Sequence, residues 1–228
     1  MNTLKNNLLS TLKNIQNFEK KHSIRENSVQ LLAVSKKHPA EAIRTLYQTG
    51  QIHFGENFVQ EALLKQDQLK DCSITWHFIG PIQSNKTKDI SNHFQWIHSI
   101  DRIKIAKRLN EQHLSQTPLN ICIQVNISEE STKSGVLCHQ AIDFAHQLMP
   151  LKHLKLRGLM AIPQRMSDFT QQQAEFKKLS DLYRQLNNSG FQLDTLSMGM
   201  SADIEAAISM GSTMVRVGTA IFGERKIN

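Results

Sequence analysis

The chain is poor in cysteine, and its three, Cys72, Cys122 and Cys138, are odd in number and far apart. No C-x-x-C pair occurs, and no Cys/His set has zinc-site spacing. A reducing compartment, the cytoplasm, is therefore expected. The first twenty residues, MNTLKNNLLSTLKNIQNFEK, lack the continuous apolar core of a signal peptide and contain no arginine. No stretch reaches the roughly 18 apolar residues of a membrane span, so no membrane partner is expected. No Arg-rich tract or basic-aromatic repeat appears. The ten histidines include no H-x-H or H-E-x-x-H arrangement, so structural or surface roles are expected for them and no metal site. No G-x-G-x-x-G turn follows the first apolar run, which disfavours an open dinucleotide-binding sheet. Neither a Pro-, Gly- or Ser-rich linker nor an internal repeat divides the sequence.

What is present suffices for one substantial core. The chain has 228 residues, 39% of them hydrophobic, and one domain over 1–228 is expected. Charged residues make up 21%, near the globular average, which argues against wholesale disorder. The formal charge of +7 points toward an anionic ligand or nucleic acid. The lysines are scattered, however, and a solvated basic surface without a nucleic-acid partner is the expectation.

Short apolar runs alternate with longer amphipathic stretches. The candidate strands are 31–35, 52–56, 75–80, 96–100, 120–127, 156–162, 195–199 and 214–218. Helical patterns lie between them. One runs from Pro39, suited to a first turn, to Gly50, suited to a stop. Another covers 168–187, with Phe176, Leu179, Tyr183 and Leu186 at helical spacing. A third is SADIEAAISMG, with Ser201 as the expected N-cap and Gly211 as the stop. An extra N-terminal helix would present Leu4, Leu8, Leu12, Ile15 and Phe18 on one face. Eight βα units in about 200 residues point to an α/β fold, a parallel sheet closed as a (β/α)8 barrel.

Barrels of this class place their sites at the C-terminal strand ends, and the last two loops often hold a phosphate. Here those loops read SMGMSADIEAA and RVGTAIFG. Ser201 offers a hydroxyl before a helix; Gly218 allows close backbone approach, and Thr219 adds a second hydroxyl before a short helical turn. Each of these residues alone reads equally as a cap or a turn former. Lys36 would stand at the mouth of the first strand, beside the eighth in a closed barrel. Its amine could be a counter-charge to phosphate, or it could form an imine with an aldehyde that carries the phosphate, as in pyridoxal 5′-phosphate. Burial and a neighbouring cation would lower its pKa from about 10.4 and make it a better nucleophile. Lys37, one residue on, is expected to point away. The SEESTKSGVL loop, 128–137, is the most polar connection, and its Lys133 is a candidate second amine.

The motifs LLAVSKKHP, HFGENFVQE, WHFIGPIQSNK, STKSG, LRGLMAIP, LSMGMSADIEAAI and STMVRVGTAIFG, in this order from about residue 30 to 224, resemble the pyridoxal-phosphate homeostasis protein family. The resemblance implies the barrel of fold-type III enzymes such as alanine racemase. It implies that Lys36 carries pyridoxal 5′-phosphate as an internal aldimine, and that Asn57 lies next to the cofactor. Ser201, Gly218 and Thr219 become the implied phosphate site. Arg216 becomes the arginine facing the pyridine nitrogen. An arginine has no acceptor and keeps its proton, so it can only donate. The ring nitrogen would then stay unprotonated and the ring would be a weaker electron sink than in enzymes that use a carboxylate there.

Strong catalysis is accordingly not expected. A racemase needs a base on each face of the substrate α-carbon. The two tyrosines, Tyr47 and Tyr183, fall on outer helices, and the sequence ends soon after the eighth strand, without room for the second domain of alanine racemase. The implied function is to hold, buffer and deliver the cofactor as a monomer, with apo enzymes that use it as candidate partners. The rival reading is a fold-type III enzyme with amino-acid racemase-like activity.

Overall fold

The computed structural model describes residues 2–130 and 132–224. Its elements begin with helix α1 (Asn2–Lys21). Eight strands follow: β1 (Gln30–Val34), β2 (His53–Glu56), β3 (Thr75–Phe78), β4 (Trp96–Ile100), β5 (Leu119–Gln124), β6 (Leu154–Met160), β7 (Thr195–Ser197) and β8 (Met214–Val217). The helices between them are α2 (Ala40–Tyr47), α3 (Val59–Gln68), α4 (Thr87–His93), α5 (Ile103–Gln112), α6 (Ala141–Leu148), α7 (Phe169–Asn188) and α8 (Ile204–Ser209), and α9 (Thr219–Phe222) follows β8. The strands pair in sequence order, all parallel, and β8 closes on β1 with Leu32 opposite Arg216. This is the expected (β/α)8 barrel.

All eight expected strands form. Several of the expected ranges, 75–80, 120–127, 156–162 and 195–199, run two or three residues past the observed C-terminal ends. Several of those residues keep single backbone bonds to the neighbouring strand, such as the Val125 N–H to the Met160 carbonyl and the Met198 N–H to the Met214 carbonyl, but they lie beyond the regular strand pairing. Strand alternation then sorts the side chains. Leu31, Ala33, Phe54, Trp76, Phe78, Ile97, Ile123 and Leu196 are buried in the main core, with helix residues such as Ile43, Ile90, Leu109 and Phe176. Full burial of each large side chain stabilises by about 1.5–3 kcal/mol.

The barrel interior is built differently. Trp96, Cys122 and Met160 form a small apolar cluster separate from the main core. Arg157 lies over the Trp96 ring, with its guanidinium carbon 4.7 Å from the centroid, and forms an ion pair with Asp194. The interior also carries polar contacts, among His53, His77, His98, Ser197 and Arg216.

Helix α1 lies outside the repeating βα pattern. Its expected apolar face is real: Leu8 and Ile15 are buried, and Leu4, Leu12 and Phe18 pack on the core. It lies against α2, α8 and α9. Asn7 donates to the Ile221 carbonyl at 3.0 Å, and Lys21 and His22 both reach Glu205 of α8.

The start of α8 corrects one expectation. Ser201 is not its N-cap. Residues 201–203 form a turn, Asp203 holds the cap position, and the helix starts at Ile204. The Asp203 carboxylate reaches back to accept from the Met200 N–H at 2.5 Å, and the Asp203 N–H donates to the Met200 carbonyl. This reciprocal pair closes a tight turn, which moves the cap, and with it the helix start, two residues along.

Candidate functional site

The β1 ladder ends at Val34, so Lys36 stands two residues beyond the strand rather than at its last position. The segment is held from below by Lys65 of α3. Its ammonium donates to the Ser35 carbonyl (2.8 Å), to Glu56 Oε1 (2.7 Å) and to Glu61 Oε1 (2.6 Å). The Ser35 hydroxyl donates to Glu56 Oε1 at 2.6 Å, and the Lys37 N–H donates to Glu61. Both neighbours of Lys36 are therefore anchored, which sets the direction of the side chain between them. Lys37 is exposed and takes a left-handed φ of +64°. It points away as expected, but a turn decides this, because the position is no longer in a strand.

Glu56 is fully buried, and burial raises its carboxyl above the ordinary range, with the Lys65 ammonium and the Ser35 hydroxyl opposing. Asn57 follows it directly. Its Oδ1 is buried and has no hydrogen-bond partner among the described residues. The backbone of Asn57 is pinned by Gly80: a Cβ at that glycine would lie 2.2 Å from the Asn57 carbonyl oxygen. Only glycine lets the chain leaving β3 pass so close.

Arg216, on β8, is 4% exposed. Nη1 donates to the Ser197 carbonyl (2.6 Å) and hydroxyl (2.8 Å), and Nη2 donates to the Ala161 carbonyl (2.8 Å). These are neutral acceptors: Arg216 forms no ion pair among the described residues, and the buried Glu56 carboxylate is paired with Lys65. Burial draws Arg216 down to about 10, opposed by the field of Asp203, so it stays charged at neutral pH. Nε–H and one Nη2–H have no protein partner among the described residues.

Gly199 allows this arrangement. It has φ +94°, and a Cβ there would lie 2.6 Å from the Ala207 Cβ, so the chain turns from β7 into the 200–203 loop in contact with α8. Its carbonyl accepts from the Arg216 N–H. Gly218 is less constrained. Its φ is −113°, and an added Cβ would make only ordinary contact with Val34.

Lys36, Asn57, Ser201, Arg216, Gly218 and Thr219 all line one cavity of about 520 Å³ at the C-terminal mouth of the barrel. That is the size of a cofactor pocket. Ser201 and Thr219 are exposed at its rim, on the loops after β7 and β8. The donor set suits an anion that also carries an acceptor for Arg216, and the orphaned Asn57 oxygen leaves room for a donor from the ligand. Asp203 also lines the cavity, and burial raises its carboxyl.

Several contributors were not singled out from sequence. Lys65 reads as a surface helix residue, and only the fold carries it under β1. Arg165, from the loop after β6, adds a second cation to the cavity rim. Ser197 and the three barrel histidines had one usable signal: each is a polar residue at an inward-alternating position of an otherwise apolar strand. Of the methionines near this end, Met198 and Met214 are buried as packing residues, whereas Met200 lines the cavity.

Other expected residues lie elsewhere. Tyr47 accepts from the Ser73 N–H, and Tyr183 donates to the Leu193 carbonyl, both on outer helices. Lys133 pairs with Glu130 at 2.6 Å and does not line the cavity. Its loop is closed on itself by Asn126, which donates to the carbonyls of Glu130 and Lys133; Ser131 lies outside the described residues. No group of His, Cys, Asp and Glu among the described residues could hold a metal ion, and no described helix is long and apolar enough to cross a membrane.

Comparison with known proteins gives one consistent result. The family model "Alanine racemase, N-terminal domain" matches residues 7–226. The pyridoxal phosphate homeostasis protein of Vibrio alginolyticus is 50% identical over 230 residues, 99% of each chain. That of Pseudomonas aeruginosa is 53% identical over 199 residues, 87% of this chain and 85% of its own. Among solved structures, PipY of Synechococcus elongatus with PLP bound is 39% identical, with a TM-score of 0.80 over 92% of this chain and all of its own. Alanine racemase of Clostridium difficile 630 is 17% identical, with a TM-score of 0.75 over all of this chain and 58% of its own, a likeness of fold alone.

Proposed function

The chain belongs to the pyridoxal phosphate homeostasis protein family, within the wider alanine racemase N-terminal domain family, and from that premise we propose that it binds pyridoxal 5′-phosphate and serves intracellular homeostasis of that cofactor. The observation that carries the reading is the convergence of an amine, a buried guanidinium with unspent donors and an orphaned amide oxygen on one cavity. Bound pyridoxal 5′-phosphate supplies an aldehyde carbon and a ring that accepts negative charge.

Lys36 is the amine we assign to the aldehyde. Lys65, Glu56 and Glu61 hold the backbone on both sides of it. Arg216 offers its remaining N–H groups to the ring nitrogen and withholds a proton from it. Ser201 and Thr219, with the backbone at Gly218, are the phosphate ligands in this reading. Asn57 orients the ring from the β2 side. Asp203 offsets part of the Arg216 charge, which limits how tightly a dianion is held. That moderation suits a protein that must also release its ligand. A monomer in the cytoplasm that exchanges cofactor with apo enzymes, without strong catalysis of its own, is the fuller form of the proposal.

Borohydride reduction of the loaded protein followed by peptide mass spectrometry tests it. The expected result is a vitamin-B6-derived mass on the peptide containing Lys36, absent in Lys36→Ala. The same mass retained in that variant would move the site to another amine.

A further inference from the structure

Behind Arg216, away from the cavity, a chain of side chains crosses the barrel interior. The Ser197 hydroxyl lies 2.8 Å from Arg216 Nη1 and 2.9 Å from His98 Nδ1. His98 Nε2 lies 2.9 Å from His77 Nδ1, and His77 Nε2 lies 3.0 Å from His53 Nδ1. Ser197, His98 and His77 are buried; His53 is half-buried at the N-terminal end of β2. Four strands contribute, and Arg216 on β8 makes a fifth.

The direction of this chain follows from one end. Arg216 has only donors, so it must give a proton to the Ser197 oxygen. The hydroxyl has one proton left, and His98 Nδ1 is the only acceptor it reaches among the described residues. A neutral imidazole that accepts at Nδ1 donates at Nε2. His98 therefore donates to His77, and His77 to His53. The reverse direction would aim an N–H at Ser197 and leave its buried O–H without an acceptor, a loss the observed direction avoids.

We propose that Ser197, His98, His77 and His53 form a one-directional hydrogen-bond relay that positions Arg216, with all three imidazoles held as the Nε2–H tautomer. These are positioning residues; none lines the cavity. The inference rests on the reading that Arg216 faces the ring nitrogen. Neutrality of the rings is supported by what surrounds them. Arg216 faces His98 from β8, and the Cys122 thiol of β5 and Asp203 face Arg216. His77 is faced by the other two imidazoles and stacks on Trp96 at 5.4 Å. No carboxylate pairs with any of the three rings among the described residues. Burial, with the Arg216 charge, holds His98 down to about 3.

Selective 15N labelling of histidine, with ring 1H–15N correlation spectra of the intact protein, reads the tautomers directly. Assignment uses single His→Gln variants. The expected result is protonated Nε2 and unprotonated Nδ1 on His53, His77 and His98, with or without the cofactor. Ser197→Ala is expected to release the His98 tautomer into a mixture. It should also shift the visible band of the bound cofactor and lower retention about tenfold, while borohydride still traps the adduct on Lys36. Ser197→Thr, which keeps the hydroxyl, should restore both. A proton on Nδ1 of any of the three rings in the wild-type chain overturns the relay, as does a Ser197→Ala protein with unaltered tautomers and spectrum. The wild-type tautomer pattern decides the matter even where a variant fails to fold. Failure of the wild-type chain to form any adduct would instead remove the proposed function and leave the relay standing.

Discussion

Arg216 holds a positive charge in the barrel against three neutral acceptors, and this sets the electrostatics around it. An unpaired buried guanidinium is costly, and a bound dianion would offset that cost. Arg216→Gln keeps donors and removes the charge. Cofactor retention, measured by dialysis and absorbance, is expected to fall tenfold or more, while the adduct on Lys36 still forms; wild-type retention would refute the assignment. The histidines make a second prediction. A free histidine titrates near 6.5, and His98 is held down to about 3. Between those values the unfolded chain binds a proton that the folded chain refuses. Stability therefore falls as pH drops from about 6.5 toward 3. His77 acts in the same sense, whereas Glu56 and Asp203, both raised, act in the opposite sense above pH 4. Thermal melts between pH 7 and 5 should show Tm falling by several degrees, and His98→Gln should flatten the slope. A variant with the wild-type slope would show that His98 does not carry it.

At the level of elements, α1 and the turn at 200–203 matter most for the site. Helix α1 grips α8 through Glu205 and α9 through the Ile221 carbonyl, and these two short helices follow the proposed phosphate loops. Its anchor, Leu8, is fully buried. Leu8→Ala should cost about 2–5 kcal/mol in denaturant unfolding, from lost transfer energy and the cavity left behind. Cofactor retention should weaken with it, because α8 and α9 lose their backing. A stability change below about 1 kcal/mol would mean that α1 is not part of the cooperative fold. The loop between β3 and α4 offers a sharper test. Gly80→Ala places a methyl against the Asn57 carbonyl, so backbone must move. Retention should drop while helix content, read by circular dichroism, stays near wild type; unchanged retention would detach Asn57 from the site.

For the whole molecule, closure of the sheet is the decisive event. β1 pairs with β8, and residues 36 and 216, 180 positions apart in sequence, come to share one cavity. The same closure places Tyr47 and Tyr183 outside, each spent on a structural hydrogen bond. In the proposed reading, which gives Lys36 no partner base, exchange of the α-hydrogen of amino acids with deuterated solvent should stay near the rate of free pyridoxal 5′-phosphate. Rates of an ordinary enzyme, about 1–10³ per second, would restore the racemase reading.

The eight strands, the long helix 169–188 and the apolar face of α1 were legible in the sequence because burial imposes periods of 2 and 3.6 on neighbouring residues. The motifs at the strand ends were legible as well, since each is a short contiguous string. The start of α8 was misplaced because Ser201 and Asp203 are both good caps, and the choice depends on a hydrogen bond to Met200. Lys65 under β1 lay beyond local patterns altogether, and the relay behind Arg216 left only its polar residues at inward-alternating strand positions, not their pairing. Their partners come from separate strands and helices, and no local period records which polar groups meet when a barrel closes. Local sequence thus determined which segments fold and which residues could serve the mouth. Tertiary structure alone decided which buried charges and imidazoles would face one another, because only closure removes the water that would otherwise satisfy each of them separately.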